Sequence, residues 1–259
     1  MKNKFKRPKF SKKETKSNYF IHGLNNSISL IKSDKNEIIN IFILENSLAW
    51  KNNKIQDLIN DNKKICKIFN KELFFKKFDE FRTQGIVINF KGKILIDLPD
   101  FSNTIGNQCL LLLDRITDPQ NLGQIIRTAE CAGIDGIIIP KHNSAPINNT
   151  SLQVSQGAFA SINIYEVTNL RNVFQEYKNN GFWVVGVENS INAKPWFETE
   201  YKGKVLIVLG SEGRGIRKKV LESCDFTATI PMRGETNSLN VSATASAILF
   251  ERIRQIEGE

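Results

Sequence analysis

Two patterns of hydrophobic and polar positions divide the chain, and the change between them falls near residue 108. After this point, long apolar runs bounded by glycines are typical of buried parallel strands. The predicted strands lie at 109–113, 134–139, 182–187 and 205–209. Apolar residues at helical spacing predict helices over 121–132, 169–179, 214–222 and 240–256. Alternating strands and helices predict an α/β domain over residues 108–259, with a parallel sheet covered on both faces.

Before residue 108 the apolar runs are shorter and predict a small α/β domain over residues 18–90. Residues 91–107 contain two glycines, a proline and several polar turn formers, which predict a linker. Residues 1–17 predict a basic, disordered tail. In the small domain, helices are predicted over 22–33, 53–61 and 71–76, and strands over 39–44, 64–69 and 86–90.

The net charge of the chain is +9, and most of it lies at the N-terminus. Residues 1–16 hold eight Lys and Arg against one Glu, a net charge of +7, which leaves +2 for the other residues. Lysine side chains gain affinity for a polyanion by releasing its counterions, so this tail favours a nucleic-acid partner. A merely solubilising tail, in a chain rich in Lys, Asn and Ile throughout, accounts for the same charge. Charge alone therefore names no activity.

Cysteine and histidine usage argues against several classes of protein. The four cysteines are scattered without a CxxC pair, and the chain has two histidines. The sequence thus predicts neither a metal site nor a disulfide framework, and it favours a reducing cytoplasm. No apolar run has the length of a membrane span, and no apolar segment follows the basic N-terminus as in a secretory signal. A membrane partner is not expected.

The first segment that could carry chemistry is DPQNLG at 118–123, which runs into the helix predicted at 121–132. Asn121 is expected to cap this helix. The helix would bury an apolar stripe and leave Arg127 on the opposite face. Gly123, one turn away, would leave open space beside the guanidinium. Taken alone, the segment is better interpreted as a capped surface helix with a solvated arginine.

The second segment is the glycine-rich loop LGSEGRG at 209–215, between a predicted strand and a predicted helix. Glycines allow backbone groups to approach a ligand closely. The loop matches neither the GxGxxG nor the GK[ST] phosphate-binding motif. Glu212 is an unfavourable neighbour for phosphates, whereas it suits a ribose hydroxyl or a cation such as a sulfonium. A tight turn that starts a helix is the structural alternative.

The third segment is IPM at 230–232, followed by NSLNVS at 237–242. If this stretch is extended, Ser238 and Asn240 face one way and Leu239 faces the other. Ser238 or Asn240 could equally cap the last helix. The small side chains at 242–247 would let that helix pack very closely against another backbone.

Together, the three segments resemble the motifs of the SpoU (TrmH) family of RNA ribose 2′-O-methyltransferases. DPQNLGQIIRTAECAG at 118–133, IVLGSEGRGI at 207–216 and IPMRGETNSLNVSATASAILFE at 230–251 occur in the family's order and spacing. More loosely, YFIHG at 19–23 and QGIV at 84–87 resemble the small substrate-binding domain of the ribosomal-RNA members, with Phe20 in place of its usual glycine.

The resemblance implies an α/β fold of the SPOUT type with a trefoil knot, working as a homodimer. It also implies S-adenosylmethionine as methyl donor, no metal, and RNA as substrate, with a guanosine of 23S ribosomal RNA as the favoured target. Because a guanidinium stays protonated in proteins, Arg127 is expected to act by its charge and not as a general base. The implied catalytic residues are Arg127, Asn121, Glu212, Ser238 and Asn240; the implied donor-binding residues are Leu209, Gly210, Gly215, Ile230, Ser238 and Leu239.

Three other functions stay open at this point. The substrate could be transfer RNA, with the same chemistry. The chain could also be an RNA-binding ribosome assembly factor without catalysis, although the complete motif set argues against it. A dinucleotide-dependent oxidoreductase is disfavoured because the GxGxxG fingerprint is absent.

Overall fold

The computed structural model describes residues 18–78, 82–101, 104–190 and 193–258. The basic tail predicted at 1–17 lies outside these residues. Two β-sheets occupy the described part of the chain, one of four strands and one of eight. In these same ranges, no helix is both long enough and apolar enough to cross a membrane.

The smaller sheet consists of β1 (Asn18–His22), β2 (Asn36–Leu44), β3 (Cys66–Phe69) and β4 (Ile86–Gly92). The spatial order is β1-β4-β2-β3; β4 pairs antiparallel with β1 and β2, and β2 pairs parallel with β3. Each strand and helix predicted for this region is present within a few residues, and β1 is an additional strand. The accompanying helices are α1 (Leu24–Ile31), α2 (Asn53–Asp61) and α3 (Lys71–Lys77).

The larger sheet confirms the predicted parallel arrangement. Its strands are β5 (Leu95–Ile96), β6 (Gln108–Asp114), β7 (Gly136–Pro140), β8 (Ile164–Val167), β9 (Trp183–Val187), β10 (Lys194–Pro195), β11 (Lys204–Gly210) and β12 (Phe226–Thr229). Their spatial order is β10-β12-β9-β11-β6-β7-β8-β5, and neighbouring strands pair in parallel. The central strands are nearly continuous apolar runs, as burial on both faces requires.

Helices cover both faces of this sheet. They are α4 (Pro119–Cys131), α5 (Asn149–Val154), α6 (Leu170–Asn179), α7 (Lys218–Leu221) and α8 (Val241–Glu257). Alternate strand residues enter two separate cores: Leu111 and Ile207 pack on the side of α4, α5 and α8, whereas Leu110 and Leu206 pack on the side of α6 and α7. The prediction that helices cover both faces of the parallel sheet is therefore confirmed. The trefoil knot that the resemblance implies stays a prediction.

The two sheets share one hydrophobic core through contacts of the N-terminal unit with α5 and the turn after it. The Phe90 and Phe159 rings stack with their centroids 5.6 Å apart. The backbone N–H of Phe20 donates to Asn149 Oδ1 at 3.0 Å, and that of His22 donates to Gln153 Oε1 at 2.9 Å. These contacts fix the small unit against the larger one.

Two predicted boundaries differ from the structure. The segment 91–107 is more than a linker, because Leu95–Ile96 form β5 at the edge of the larger sheet and Phe101 is buried. A two-residue strand among turn formers has too short a pattern to be recognised. The helix predicted at 214–222 is reduced to α7, which begins at Lys218 because residues 211–215 close a tight loop before it.

Candidate functional site

A concave pocket of about 430 Å³ lies beyond the carboxyl ends of β9, β11 and β12. Three stretches of chain form its wall: the loop after β9, the glycine-rich loop after β11, and residues between β12 and the start of α8. Open parallel sheets usually bind their ligands at this edge. Its apolar lining is formed by Val187, Leu209, Ile230, Met232, Leu239 and Val241.

The glycine-rich loop folds back on itself directly after β11. Ser211 and Gly215 exchange two backbone hydrogen bonds, with N···O distances of 3.2 and 2.9 Å. Gly213 and Gly215 have positive φ angles of 74° and 63°, which other residues rarely adopt. A Cβ atom on Gly210 would lie 2.2 Å from the carbonyl carbon of Gly215. The return of the loop onto the strand end therefore requires glycine at 210 and leaves bare backbone as the pocket wall.

The charge of the pocket is negative. Glu188 and Glu212 line it, and none of its lining residues is Lys, Arg or His. Glu188 follows β9, and its carboxylate accepts a hydrogen bond from the backbone N–H of Ile216 at 2.7 Å, which fixes the end of the glycine-rich loop. Two carboxylates without a basic neighbour in the lining favour a cationic ligand over a phosphate.

Three side chains from the three sequence motifs form one hydrogen-bonded network at the border of the pocket. The Asn240 amide nitrogen donates to Glu212 Oε1 at 2.6 Å and to Asn121 Oδ1 at 3.0 Å. The Asn121 amide nitrogen donates to the same Glu212 oxygen at 3.3 Å. Asn240 also caps α8, because its Oδ1 accepts the N–H of Ser242 at 2.8 Å. Segments up to 119 residues apart in sequence therefore converge here.

The expectation that Asn121 caps α4 is wrong. Asp118 is the N-cap, its side chain accepting the N–H of Gln120 at 2.9 Å, and Pro119 occupies the first helical turn. Proline fits the first helical turn because its missing N–H would have no intrahelical partner there. Asn121 consequently lies inside the helix, buried, with its amide turned towards Glu212 and Asn240.

Arg127 lies on the exposed face of α4, outside the lining of the pocket. It borders a shallow depression between α4 and α8, where Ser242 Oγ donates to Gln124 Oε1 at 2.6 Å. The expected open space at Gly123 is absent. A Cβ atom there would lie 2.6 Å from the carbonyl oxygen of Ser151, so this glycine instead allows α4 to pack closely against α5.

The structure brings most of the residues singled out in the sequence to one place. All six residues expected to bind the donor line the pocket, as does Glu212, whereas Asn121 and Asn240 border it and Arg127 lies apart. Sequence reasoning missed Glu188 and Asn189, and it named Met232 in the third segment without assigning it a binding role. The position of Glu188 and Asn189, directly after the predicted strand at 182–187, would have indicated them, because polar residues at strand ends often face the ligand.

Burial argues against nucleophilic chemistry at two of the cysteines. Desolvation raises the pKa of Cys109 to about 12 and that of Cys224 to about 12, so both thiols stay protonated near neutral pH. Both pack as apolar side chains.

A family model and similar known proteins all point to one family of RNA methyltransferases. The model of the SpoU rRNA Methylase family matches residues 108–250. The 23S rRNA (guanosine-2′-O-)-methyltransferase RlmB of Shewanella oneidensis is 32% identical over 241 residues, which cover 91% of this chain and 96% of that protein. A putative TrmH family tRNA/rRNA methyltransferase of Staphylococcus aureus is 43% identical over 150 residues, 58% of this chain and 60% of that protein.

Solved structures share the fold over both units of the chain. The SpoU methyltransferase AviRb of Streptomyces viridochromogenes, solved in complex with AdoMet, superposes with a TM-score of 0.78 at 20% identity, covering 93% of this chain and 92% of that one. An AdoMet-bound rRNA methyltransferase of Sinorhizobium meliloti has a TM-score of 0.75 at 22% identity, covering 92% and 88%. At these identities the similarity establishes the α/β fold.

Proposed function

The chain belongs to the SpoU rRNA methylase family, and from this premise we propose that it transfers a methyl group from S-adenosylmethionine to a ribose 2′-hydroxyl of RNA. One observation carries the proposal beyond family membership. Asn121, Glu212 and Asn240, one from each motif, join in a single network beside a pocket at the ligand-binding edge of the sheet.

The pocket suits S-adenosylmethionine in size, charge and surface. Its volume of about 430 Å³ lies in the range of roughly 300–1,000 Å³ typical of small-molecule sites. The donor carries a sulfonium and an ammonium against one carboxylate, and Glu188 and Glu212 supply the complementary charge. Apolar side chains offer a surface for the adenine ring, and the glycine loop offers backbone donors and acceptors. We assign donor binding to Leu209, Gly210, Gly215, Ile230, Ser238 and Leu239.

When bound, the donor supplies a methyl group on a sulfonium, whose neutral thioether is a good leaving group. The protein must then hold the ribose oxygen in line with the methyl carbon, so that the O–C bond forms as the S–C bond breaks, and stabilise the oxygen as the hydroxyl proton leaves to solvent water. Glu212, held by both asparagines, accepts a hydrogen bond from a ribose hydroxyl, and Ser238 lies in the same lining. Arg127 acts by charge, on an RNA phosphate and on the developing alkoxide.

The proposed substrate is 23S ribosomal RNA, with a guanosine as the methylated nucleotide. Support comes from the RlmB relative, whose similarity extends over 91% of the chain and therefore into the small N-terminal unit. Transfer RNA is the second candidate, because the Staphylococcus aureus relative is named for both RNA classes. It ranks second because that relative matches only 58% of the chain.

Competition between RNA classes tests the substrate assignment. Equal molar amounts of unmodified 23S ribosomal RNA and unmodified transfer RNA are incubated together with the protein and labelled S-adenosylmethionine. We expect the label in the 23S RNA. Label confined to transfer RNA would favour the second candidate, and donor binding without label in either RNA would favour a non-catalytic assembly factor.

We propose further that the chain acts as a homodimer in the cytoplasm. On α8, Ala243, Ala247 and Phe250 recur at helical spacing, and the Phe250 side chain is 48% exposed. A second copy packed on this side of α8 would cover the apolar stripe, and the two alanines would permit close helix approach. The cytoplasm is supported by the four cysteines, all of which are free thiols.

Removal of residues 1–17 is expected to weaken RNA binding and to flatten its dependence on salt. The eight basic residues of this tail release counterions when they contact phosphates, and each contact contributes about 0.7–0.9 to the slope of log affinity against log salt. Binding of the full chain and the truncated chain to the same RNA, measured over a salt series, gives both slopes. Equal slopes would show that the tail makes no phosphate contacts.

A further inference from the structure

A second concavity lies at the same edge of the larger sheet, beyond the carboxyl ends of β7 and β8. Its volume is about 740 Å³, and it shares no lining residue with the pocket described above. Leu170, Phe174 and Val220 contribute an apolar floor, and all three are buried. α6 and α7 flank it, on the sheet face opposite to α4 and α8.

The ionisable side chains that line this concavity are all basic. They are His142, Arg171, Arg217, Lys218 and Lys219, which we call the basic cleft, and no Asp or Glu is among the lining residues. Arg171, Lys218 and Lys219 are exposed. Within the part of the chain that the structure describes, Arg171 and Lys219 form no ion pair, so their charges are available to a ligand.

Arg217 is held in place by a buried carboxylate. Asp114, fully buried at the end of β6, accepts hydrogen bonds from the Arg217 backbone N–H at 2.9 Å and from Nε at 2.8 Å, and Nη2 lies 2.7 Å from the same carboxylate. A charge-assisted pair of this kind fixes the geometry of the guanidinium. The start of α7, with Lys218 and Lys219, is thereby anchored to the sheet.

One short stretch of backbone connects the basic cleft to the donor pocket. Gly215 lines the pocket, and Arg217, two residues later, lines the cleft. Between them, the Ile216 N–H is fixed by Glu188 on the pocket side. The negative pocket and the positive cleft therefore stand side by side along one edge of the sheet, and a ligand that spans both would place its anionic part in the cleft.

We infer that the basic cleft binds backbone phosphates of the RNA next to the nucleotide that is methylated. This inference rests on the proposed function. Phosphate contacts from Arg and Lys fix the register of a nucleic-acid strand without reading its sequence, and the carboxylates of the donor pocket would disfavour phosphates there. The cleft would thus hold the strand while the target ribose reaches the pocket.

The test uses the double variant Arg171→Gln/Lys219→Gln in the full chain. Loss of two phosphate contacts should reduce the slope of log RNA affinity against log salt by about 1.4–1.8. When salt is raised from about 50 to about 200 mM, the affinity of the unaltered chain should therefore fall roughly tenfold more than that of the variant. The matched control is Lys93→Gln/Lys204→Gln, which removes the same charge at the opposite, amino-terminal edge of the sheet and should retain the original slope.

Donor binding by each variant is measured to verify that it folds. If the double variant does not fold, the single variants Lys219→Gln and Lys93→Gln provide the same comparison, with half the expected change in salt slope. Equal salt slopes for the cleft and control variants would overturn the inference. If the unaltered chain still methylates RNA in that case, the proposed function stands and only the assignment of the cleft fails. If the unaltered chain binds the donor but transfers no methyl group, the proposed function fails, and a reduced slope in the cleft variant would still support phosphate binding.

Discussion

Replacement of Gly210 by alanine is expected to weaken S-adenosylmethionine binding by about 10- to 100-fold. An added Cβ atom would lie 2.2 Å from both the carbonyl carbon of Gly215 and the backbone nitrogen of Ile216. Backbone atoms cannot rotate away from the added Cβ as the end of a flexible side chain can, so the whole loop must move away from β11. Overpacking of this kind costs about 1–3 kcal/mol, and because the loop is the pocket wall, the displacement reaches the ligand.

The measurement is isothermal titration of the donor into Gly210→Ala and into a control variant, Gly234→Ala. Gly234 lies between β12 and α8, does not line the pocket, and has open space where the new Cβ would stand. The control should bind the donor as the unaltered chain does. Equal affinities for the two variants would contradict the assignment of the pocket, and thermal unfolding of Gly210→Ala distinguishes a local loss of binding from a loss of the fold.

Replacement of Arg127 by alanine is expected to reduce the rate of methyl transfer by about 100- to 1,000-fold, a loss typical for removal of one group that stabilises developing charge. Donor affinity should stay unchanged, because Arg127 lies outside the lining of the pocket. Arg127→Lys retains the positive charge but loses the planar guanidinium and its paired N–H donors, so an intermediate rate is expected. Single-turnover kinetics with saturating RNA measure the chemical step for each variant.

Cys131→Ser is the control for Arg127, since Cys131 is exposed on the same helix, four residues away. Near-normal turnover of Arg127→Lys with intact RNA binding would eliminate a role for guanidinium geometry. Unchanged turnover of Arg127→Ala would eliminate a catalytic role for this residue altogether.

The sequence predicts those elements whose signal is local. The buried strands at 109–113 and 205–209 are recognisable because a parallel strand covered on both faces is a continuous apolar run. The strands β5, β10 and β12 are short, from two to four residues, and depend on pairing with distant strands. Their own residues therefore carry too little periodicity to identify them.

The site was predictable only in part, for a related reason. The glycine-rich loop and the capping role of Asn240 follow from local chemistry. The contact between Asn121 and Glu212 joins residues 91 apart, and no local pattern shows that the first turn of α4 meets the glycine-rich loop. The resemblance to a family supplied that information. Gly123 illustrates the limit of local reasoning, because a glycine on a helix can signal open space or close packing, and only the neighbouring α5 decides between them.

The position of the methyl group on the RNA tests the central claim most directly. Unmodified 23S ribosomal RNA is incubated with the protein and labelled S-adenosylmethionine, and the product is then hydrolysed in alkali, which cannot cleave the bond next to a 2′-O-methylated ribose. The proposed function predicts label in a single alkali-resistant dinucleotide. Label released in mononucleotides would place the methyl group on a base and contradict it, as would failure of the chain to bind the donor.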